Sequence, residues 1–267
     1  MPAVGFIGMG NMGRAMLQGA LKNFAPTELL FTCPTEEHRR SVEADTGVPS
    51  VESNAECANQ AKYLVLAVKP QIYSKVLKNI ENIVREEHVL ISLAPGITSS
   101  SIKERLGRPV RVVRAMPNTP ALVGQGMTGV SYLSDEFSFE EQDVIGKLFS
   151  SFGKYEKVDE KLMDAVVCAS GSSPAFVYMF IEALADGAVK QGLPRAQAYT
   201  MAAQAVKGAA EMVLRTGKHP AQLKDAVCSP GGTTIAGVAA LEEAGFRNSL
   251  IQACDAVYEK SVSFSEK

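Results

Sequence analysis

Cysteine and histidine are scarce in this sequence, and their spacing excludes two kinds of site. The 267 residues include five cysteines and three histidines. An odd number of cysteines without a C-x-x-C pair argues against a disulfide framework and a zinc site, and it favours a reducing compartment. Because His38, His88 and His219 lie far apart in the sequence, we expect no histidine metal site. The sequence therefore predicts a cytoplasmic protein without a metal.

Charge of one sign and long apolar runs are also missing. The formal net charge is −2, and no block of Lys and Arg marks a nucleic-acid or membrane surface. The most apolar stretch, 176–189, is interrupted by Glu182 and Asp186 and falls short of the ~18 residues that span a bilayer. The first strand begins so early that we expect no signal peptide. We therefore expect partners that are neither nucleic acids nor membranes.

Strand-like and helix-like segments alternate in the first half of the chain. Apolar runs of strand length cover residues 3–8, 28–32, 63–68, 89–93, 110–114 and 129–133. Helix-like stretches lie between several of them, at 11–22, 35–45, 54–60, 71–85 and 99–106. Strands that are apolar throughout are typical of a parallel sheet covered on both faces. The order predicts an α/β fold, with a Rossmann-type doubly wound sheet over residues 1–158.

After residue 158 no strand is predicted, and alanine-rich helical stretches dominate. They cover 159–169, 173–191, 195–216 and 247–264. Frequent Ala and Gly allow the helices to approach closely. A well-packed monomeric bundle and a dimer interface are both open interpretations, and the dimer is favoured because so few large side chains make a poor independent core. We predict an all-helical dimerisation and substrate-binding domain over residues 159–267.

A glycine-rich motif, G-x-G-x-x-G, directly follows the first strand and opens the first helix. Gly8 permits the tight turn, Gly10 lets a pyrophosphate approach the backbone, and Gly13 lets helix and strand pack. The helix start supplies amide donors. The alternative is that the glycines serve only a tight turn. The candidate cofactor-binding residues of this segment are Gly8, Met9, Gly10, Asn11, Met12 and Gly13.

The end of the second strand carries no acidic residue of the kind that binds the ribose 2′-hydroxyl of NAD. Cys33 and Thr35 stand there instead, followed by Arg39 and Arg40. These groups suit a 2′-phosphate, although the glutamates at 36–37 oppose it and the arginines can equally form a solvated helix face. We predict that NADP(H) is preferred and that NAD(H) is possible, with Cys33, Thr35 and Arg39 in the site.

Further segments are expected at the same edge, because ligands bind beyond the carboxyl ends of the strands. One strand ends in Ala67-Val68-Lys69-Pro70, and the next in a loop that contains Ala94. Lys69 is a candidate cofactor-binding residue, and the alternative is that it is an ordinary surface lysine. Asn54 is predicted to cap a helix at this edge. The loop 116–120 is rigid and polar and is expected to border the nicotinamide.

A second glycine-rich motif, Ser229-Pro230-Gly231-Gly232-Thr233-Thr234, precedes a helix-like run at 235–243. Glycines and threonines at a helix start leave backbone N–H groups free, which suits a carboxylate. The alternative is that Thr233 is an N-cap and the glycines form a plain turn. The two motifs together indicate an enzyme that transfers a hydride to a small carboxylated substrate.

Six motifs link the chain to a known family. They are Val4-Gly5-Phe6-Ile7-Gly8-x-Gly10-Asn11-Met12, Ala67-Val68-Lys69-Pro70, Met116-Pro117-Asn118-Thr119-Pro120, Gly171-x-x-Pro174-Ala175-Phe176, His219-Pro220 with Leu223-Lys224-Asp225, and Ser229-Pro230-Gly231-Gly232-Thr233-Thr234-Ile235. With them the chain resembles the pyrroline-5-carboxylate reductase family over nearly its whole length. It departs from the family at Ser173, where the usual residue is glycine, and this puts the geometry of that loop in question.

The resemblance implies NAD(P)H-dependent reduction of the C=N bond of 1-pyrroline-5-carboxylate to L-proline, the last step of proline biosynthesis. It also implies that the Thr234 hydroxyl, as the catalytic group, hydrogen-bonds the ring nitrogen, while the amides from Gly231 to Thr234 bind the carboxylate. The implied substrate-binding residues are Ser229, Gly231, Gly232, Thr233 and Thr234. Interlocked homodimers, with sites that use both subunits, and in some members rings of dimers, are implied as well.

Two other functions are open on the residues alone. An NADP-dependent β-hydroxyacid dehydrogenase-like reductase is expected to carry a catalytic lysine in the first long helix of its second domain, but 173–189 has none and Lys190 lies at its end. A non-catalytic NADPH-sensing module would not need the motif at 229–234. Reduction of an imine fits best, because its nitrogen can be protonated in advance and no strong general acid is required.

Overall fold

The computed structural model of the protein describes residues 4–265. Within that range seven strands form one sheet: β1 Val4–Ile7, β2 Leu29–Thr32, β3 Tyr63–Leu66, β4 Val89–Ser92, β5 Arg111–Met116, β6 Gly126–Ser131 and β7 Gly153–Lys157. The strand order is β2-β1-β3-β4-β5-β6-β7. The first five strands are parallel, β6 is antiparallel to β5, and β7 is parallel to β6. The predicted sheet is confirmed, and Ala3 of the first predicted strand lies outside the described residues.

Helices cover both faces of the sheet. They are α1 Asn11–Ala20, α2 Glu36–Thr46, α3 Asn54–Gln60, α4 Pro70–Ile80, α5 Ser99–Leu106 and α6 Phe139–Ser150. Apolar side chains of α1, α2 and α6, such as Leu17, pack on one face. Those of α3, α4 and α5, such as Tyr73, pack on the other. The sheet is therefore doubly wound, and its carboxyl edge is where the chain enters most of these helices.

Strand β7 and helix α6 are missing from the sequence-based prediction. β7 lies at the edge of the sheet, and its residues Lys154–Lys157 are exposed. Charged edge strands discourage association with other strands, and they lack the apolar run that identifies buried ones. α6 has a signal in the sequence, a capping box in which Ser138 and Glu141 each bond the other's backbone N–H. That S-x-x-E spacing is independent of apolar periodicity.

The chain leaves the sheet through three kinds of helix. A 3-10 turn at Glu160–Leu162 leads into α7 (Met163–Val166), and a π turn follows at Val167–Gly171. Pro174 has no N–H to donate to the carbonyl of Ser170, four residues earlier. The Asn118 side chain donates to that carbonyl instead, at 3.0 Å. The helix predicted at 159–169 is therefore confirmed in place, with a π turn before the proline as the difference.

Five longer helices follow within the described residues: α8 Ser173–Lys190, α9 Arg195–Thr216, α10 Pro220–Val227, α11 Thr233–Glu243 and α12 Phe246–Ser265. The chain divides into two compact units, one that runs to Ser172 and includes the chain from Val257, and one that comprises Ser173–Ala256. The buried core of the second unit consists of Ala185, Ala198 and Ala202. The all-helical second region is confirmed, and the boundary between residues 158 and 159 stays a prediction.

Candidate active site

Three glycines shape the turn between β1 and α1 in three different ways. Gly8 has a φ of +102°, and a Cβ there would lie 2.7 Å from the Ala67 carbonyl oxygen. A Cβ at Gly13 would lie 2.1 Å from the Gly8 carbonyl oxygen. A Cβ at Gly10, by contrast, would meet nothing within 4 Å. The fold requires glycine at 8 and 13, whereas the space beside Gly10 is open to a ligand.

Helix α1 begins at that open space. Gly10 is its N-cap, and no side chain among residues 4–265 caps it. The amides of Asn11, Met12 and Gly13 therefore have no intrahelical partner, and they carry the positive end of the helix dipole. Met9 is buried beside them. This arrangement fits the pyrophosphate of a dinucleotide, which binds at such helix starts.

The end of β2 brings together Cys33, Thr35 and Arg39. The Arg39 guanidinium donates to the Cys33 carbonyl oxygen at 2.8 Å, which holds the arginine against the loop. Thr35 is the exposed N-cap of α2, and its side chain accepts no capping hydrogen bond from the described residues. Burial raises the pKa of the Cys33 thiol, so this group stays neutral. A hydroxyl, a guanidinium and a helix start are groups that bind phosphate.

The ends of β3 and β4 lie on the side of β1 away from β2. The Ala67 N–H donates to the end of β1 at 2.9 Å, and Val68 lies against the glycine turn. Lys69 is the exposed N-cap of α4, which begins at Pro70. Ala94 is buried in the loop after β4. The structure thus places all four candidates at the carboxyl edge of the sheet.

The capping role predicted for Asn54 is wrong. Helix α3 begins at Asn54, and its N-cap is Ser53, whose hydroxyl accepts a hydrogen bond from the Glu56 N–H at 3.1 Å. The S-x-x-E spacing from Ser53 to Glu56 favours that register. Asn54 still lies at the carboxyl edge, because a parallel bridge between residues 31 and 50 carries the chain there before α3 begins.

The loop after β5 is braced by its asparagine. Asn118 is 7% exposed, and its Oδ1 accepts from the Met127 N–H at 2.9 Å while its Nδ2 bonds Ser170. These two bonds tie the loop to β6 and to the π turn, and the prolines at 117 and 120 fix φ within it. Its place beside a nicotinamide stays a prediction.

The second glycine motif forms a tight turn and the start of α11. Gly231 has a φ of +67°, and a Cβ at Gly232 would lie 2.3 Å from the Ser229 Oγ. The N-cap of α11 is Gly232, and no side chain among the described residues caps this helix. The interpretation of Thr233 as the N-cap is therefore wrong. The first-turn amides, including those of Thr233 and Thr234, lack intrahelical partners.

The candidate residues fall into two groups. The cofactor candidates lie at the carboxyl edge of the sheet in the first unit, and the substrate candidates lie at the start of α11 in the second. Ser173 begins α8, and no non-glycine residue in the described range has a positive φ, so its backbone does not call for glycine. No cluster of three or more His, Cys, Asp and Glu suited to a metal occurs in residues 4–265.

A doubly wound sheet with a G-x-G-x-x-G turn at its first helix is the fold of a dinucleotide-binding protein. Residues 160–264 match the family model for pyrroline-5-carboxylate reductase dimerisation, and residues 3–96 match that for NADP oxidoreductase, coenzyme F420-dependent. The chain is 45% identical over 265 residues to the pyrroline-5-carboxylate reductase of Escherichia coli (strain K12), with 98% of each chain covered. It belongs to the pyrroline-5-carboxylate reductase family.

Two solved structures share the whole fold. A pyrroline-5-carboxylate reductase from Coxiella burnetii matches with a TM-score of 0.91 at 32% identity, covering 100% of this chain and 99% of that one. The pyrroline carboxylate reductase of Plasmodium falciparum, solved with NADP bound, matches with a TM-score of 0.88 at 33% identity, covering 99% and 98%. The resemblance seen in the sequence is confirmed.

Proposed function

We propose that this chain reduces 1-pyrroline-5-carboxylate to L-proline with a nicotinamide cofactor, the last step of proline biosynthesis. The observation that carries the proposal is the uncapped start of α11, a site suited to a carboxylate, in a chain 45% identical to a pyrroline-5-carboxylate reductase. Protein mixed with NADPH and pyrroline-5-carboxylate should consume the absorbance of the reduced cofactor and form proline. A protein that binds NADPH without this turnover contradicts the proposal.

The start of α11 is proposed to hold the substrate carboxylate. The amides of Thr233 and Thr234 donate to it at the positive end of the helix. A Cβ at Gly231 would meet nothing within 4 Å, so the space beside this glycine is open. Ser229 and Gly232 form the turn that presents these amides.

Reduction of an imine does not require a strong general acid from the protein. With the imine nitrogen protonated in advance, the Thr234 hydroxyl oxygen accepts a hydrogen bond from that N–H and orients the ring. The carboxylate held at α11 gives the ring a second fixed point, and orientation supplies much of the rate. When bound, the reduced nicotinamide supplies the hydride that reduces the C=N carbon.

The cofactor is proposed to bind along the carboxyl edge of the sheet. The space at Gly10 and the α1 amides hold the pyrophosphate, while Thr35 and Arg39, beside Cys33, hold the ribose 2′-phosphate. Asn54 is proposed as a further cofactor contact. Because β3 and β4 lie across β1 from β2, the Ala67-Val68-Lys69 turn and Ala94 are assigned to the nicotinamide side. These groups favour NADP(H) and still permit NAD(H).

Thr35→Asp should shift preference from NADPH toward NADH. A carboxylate at the α2 N-cap repels a 2′-phosphate and can accept a hydrogen bond from a 2′-hydroxyl. We expect the ratio of kcat/KM for NADPH to that for NADH to fall by about tenfold, which corresponds to about 1.4 kcal/mol. Thr35→Asn is the uncharged control. Wild-type protein with the higher kcat/KM on NADH contradicts the assignment.

The helical unit forms an oligomer through exposed apolar side chains, and we propose a homodimer. These side chains include Val177, Tyr178, Met179, Leu184, Tyr199, Met201, Met212, Leu214, Leu241, Leu250 and Ile251. The helical stretch Glu160–Lys190 is long and apolar enough to cross a membrane, and one 18-residue window within it has a mean hydropathy of 1.3 and is 6% buried. Glu182 and Asp186 lie within it, and carboxylates are costly in hydrocarbon. We therefore propose that a second copy of this chain, and not a lipid bilayer, buries these apolar side chains.

Sedimentation at micromolar concentration should give a mass of at least twice the 28.5 kDa of one chain. Met179→Glu, at a side chain that is 68% exposed on α8, should shift the protein toward monomer. Phe139→Glu, at an 88% exposed side chain of α6, is the matched control and should leave the mass unchanged. A fully active 28.5 kDa monomer contradicts the proposal.

We also propose cytoplasmic localisation, no nucleic-acid or membrane partner, and assembly as a dimer or a ring of dimers. The net charge of −2 and the scattered cysteines support the first two. A β-hydroxyacid dehydrogenase-like activity is disfavoured, because α8 has its single lysine, Lys190, at its last position. A purely NADPH-sensing role leaves the turn at Gly231 and Gly232 unexplained.

A further inference from the structure

A charged side chain is buried within the sheet. Arg114 of β5 is 4% exposed and lies opposite Ser92 of β4 and Ser131 of β6. Among residues 4–265 the carboxylate within ion-pair distance is that of Glu160, whose Oε1 lies 3.3 Å from the Arg114 Nη1. A buried guanidinium is costly unless it is paired and hydrogen-bonded. The sheet therefore holds Glu160 at a defined place.

The same carboxylate oxygen also holds the loop that follows β4. Glu160 Oε1 accepts a hydrogen bond from the backbone N–H of Ser99 at 2.7 Å. Ser99 is the first residue of α5, so this amide has no intrahelical partner, and a carboxylate is favoured at a helix start. The N-cap Thr98 accepts from the Ser101 N–H at 3.1 Å. The far end of the loop 93–98 is thus fixed to the sheet through Glu160 and Arg114.

We infer that Glu160 is a positioning residue for the nicotinamide end of the cofactor, acting through the loop between β4 and α5. This loop contains Ala94 and Gly96, which has a φ of +71°. It lies at the carboxyl edge on the side of β1 away from the proposed 2′-phosphate site. The inference rests on the proposed function, because the loop borders a nicotinamide only if the chain binds that cofactor.

If Glu160 is a positioning residue, its replacement should change the kinetic constants in a way that a general loss of stability would not. Release of the loop end should weaken NADPH binding and lower kcat, since a misplaced nicotinamide reacts more slowly. The KM for pyrroline-5-carboxylate should stay unchanged, because the proposed carboxylate site at α11 belongs to the other compact unit.

The test compares Glu160→Ala, Glu160→Gln and Ser99→Pro with a control, Glu136→Gln. Glu136 accepts from Lys103 of α5 at 2.8 Å and lines the same cavity of about 410 Å³ as Glu160. It does not bond the α5 start. Ser99→Pro removes the amide donor, together with the serine hydroxyl, and leaves the Glu160 and Arg114 side chains unaltered; it lies at the first helical position, where proline is well tolerated.

Fluorescence titration of the full chain should give a Kd for NADPH about tenfold higher in Glu160→Ala, because the charge-assisted hydrogen bond that holds the loop end is lost together with the Arg114 ion pair. Ser99→Pro should weaken binding similarly. Glu160→Gln should stay within about threefold of wild type, since its amide oxygen still accepts from Ser99. Glu136→Gln should not change the Kd. Without cofactor, hydrogen exchange in residues 93–99 should be faster in Glu160→Ala than in wild type. In Glu136→Gln it should stay at the wild-type rate.

The outcomes separate this inference from the proposed function. Turnover of NADPH and pyrroline-5-carboxylate by the wild type tests the function without any variant. If the wild type is active and Glu160→Ala lowers the Tm while the Kd for NADPH, kcat and loop exchange stay at wild-type values, Glu160 is only structural and the inference fails. If Glu160→Ala does not fold, Ser99→Pro decides, and wild-type Kd and kcat in that variant overturn the inference.

Discussion

Replacing Gly10 with alanine should leave the protein folded while NADPH binding falls sharply. The backbone at Gly10 has φ −72° and ψ −172°, which alanine adopts readily, and the added methyl group meets nothing within 4 Å in the chain. The methyl group takes the space proposed for the pyrophosphate. Overpacking of this kind costs ~1–3 kcal/mol, so the Kd should rise roughly tenfold to a hundredfold. NADPH titration and thermal unfolding of one preparation measure both effects.

Gly13→Ala is the contrasting control. Its Cβ would lie 2.1 Å from the Gly8 carbonyl oxygen, so the backbone of α1 must shift. We expect this variant to lose stability and cofactor binding together. If Gly10→Ala binds NADPH as tightly as wild type, the glycines serve only the turn, and the cofactor assignment at α1 is wrong.

Most of the sheet is predictable from the sequence because its first four strands are buried on both faces. All four residues of β1, and likewise of β2, β3 and β4, are buried. Their unbroken apolar runs follow directly from that environment. The glycine motif is predictable for a related reason, since Gly8 and Gly13 occupy positions that no other residue fits. Both patterns can be recognised because burial and steric limits allow few residue types at these positions.

Features that depend on one residue of register are harder to predict. Ser53 and Asn54 are both good N-cap residues, and only the start of α3 decides that Ser53 takes the role. At α11 the same shift moves the N-cap from Thr233 to Gly232. The edge strand β7 is hard to predict for another reason: it exposes lysines and a glutamate to solvent and so lacks an apolar run.

Arg114 and Glu160 show what sequence pattern alone does not reveal. An arginine at the end of an apolar strand is usually expected to reach solvent. Here β5 continues beyond it to Met116, and its partner Glu160 lies 46 residues further along the chain, just after the unpredicted strand β7. The pairing depends on where that edge strand leaves the sheet. Long-range polar contacts of this kind require the fold before they can be recognised.

Thr234→Val should lower catalytic efficiency while the protein remains folded. Valine keeps the shape of threonine and removes the hydroxyl that is proposed to hydrogen-bond the ring nitrogen. Loss of one such contact costs on the order of 1–3 kcal/mol, or roughly tenfold to a hundredfold in kcat/KM. NADPH affinity should change little, because the proposed cofactor groups lie at the sheet edge. Steady-state kinetics and NADPH titration check both parts.

Thr233→Val is the matched control, because only the backbone amide of Thr233 is proposed to act. Its kcat/KM should stay closer to wild type than that of Thr234→Val. The competing explanation makes Thr234 a helix cap, whose loss would lower stability by about 1 kcal/mol. The structure argues against that explanation, since α11 begins at Thr233 and its N-cap is Gly232. A Thr234→Val protein with a lowered Tm and a wild-type kcat/KM would nevertheless remove Thr234 from the mechanism, and the α11 amides would then have to orient the substrate by its carboxylate alone.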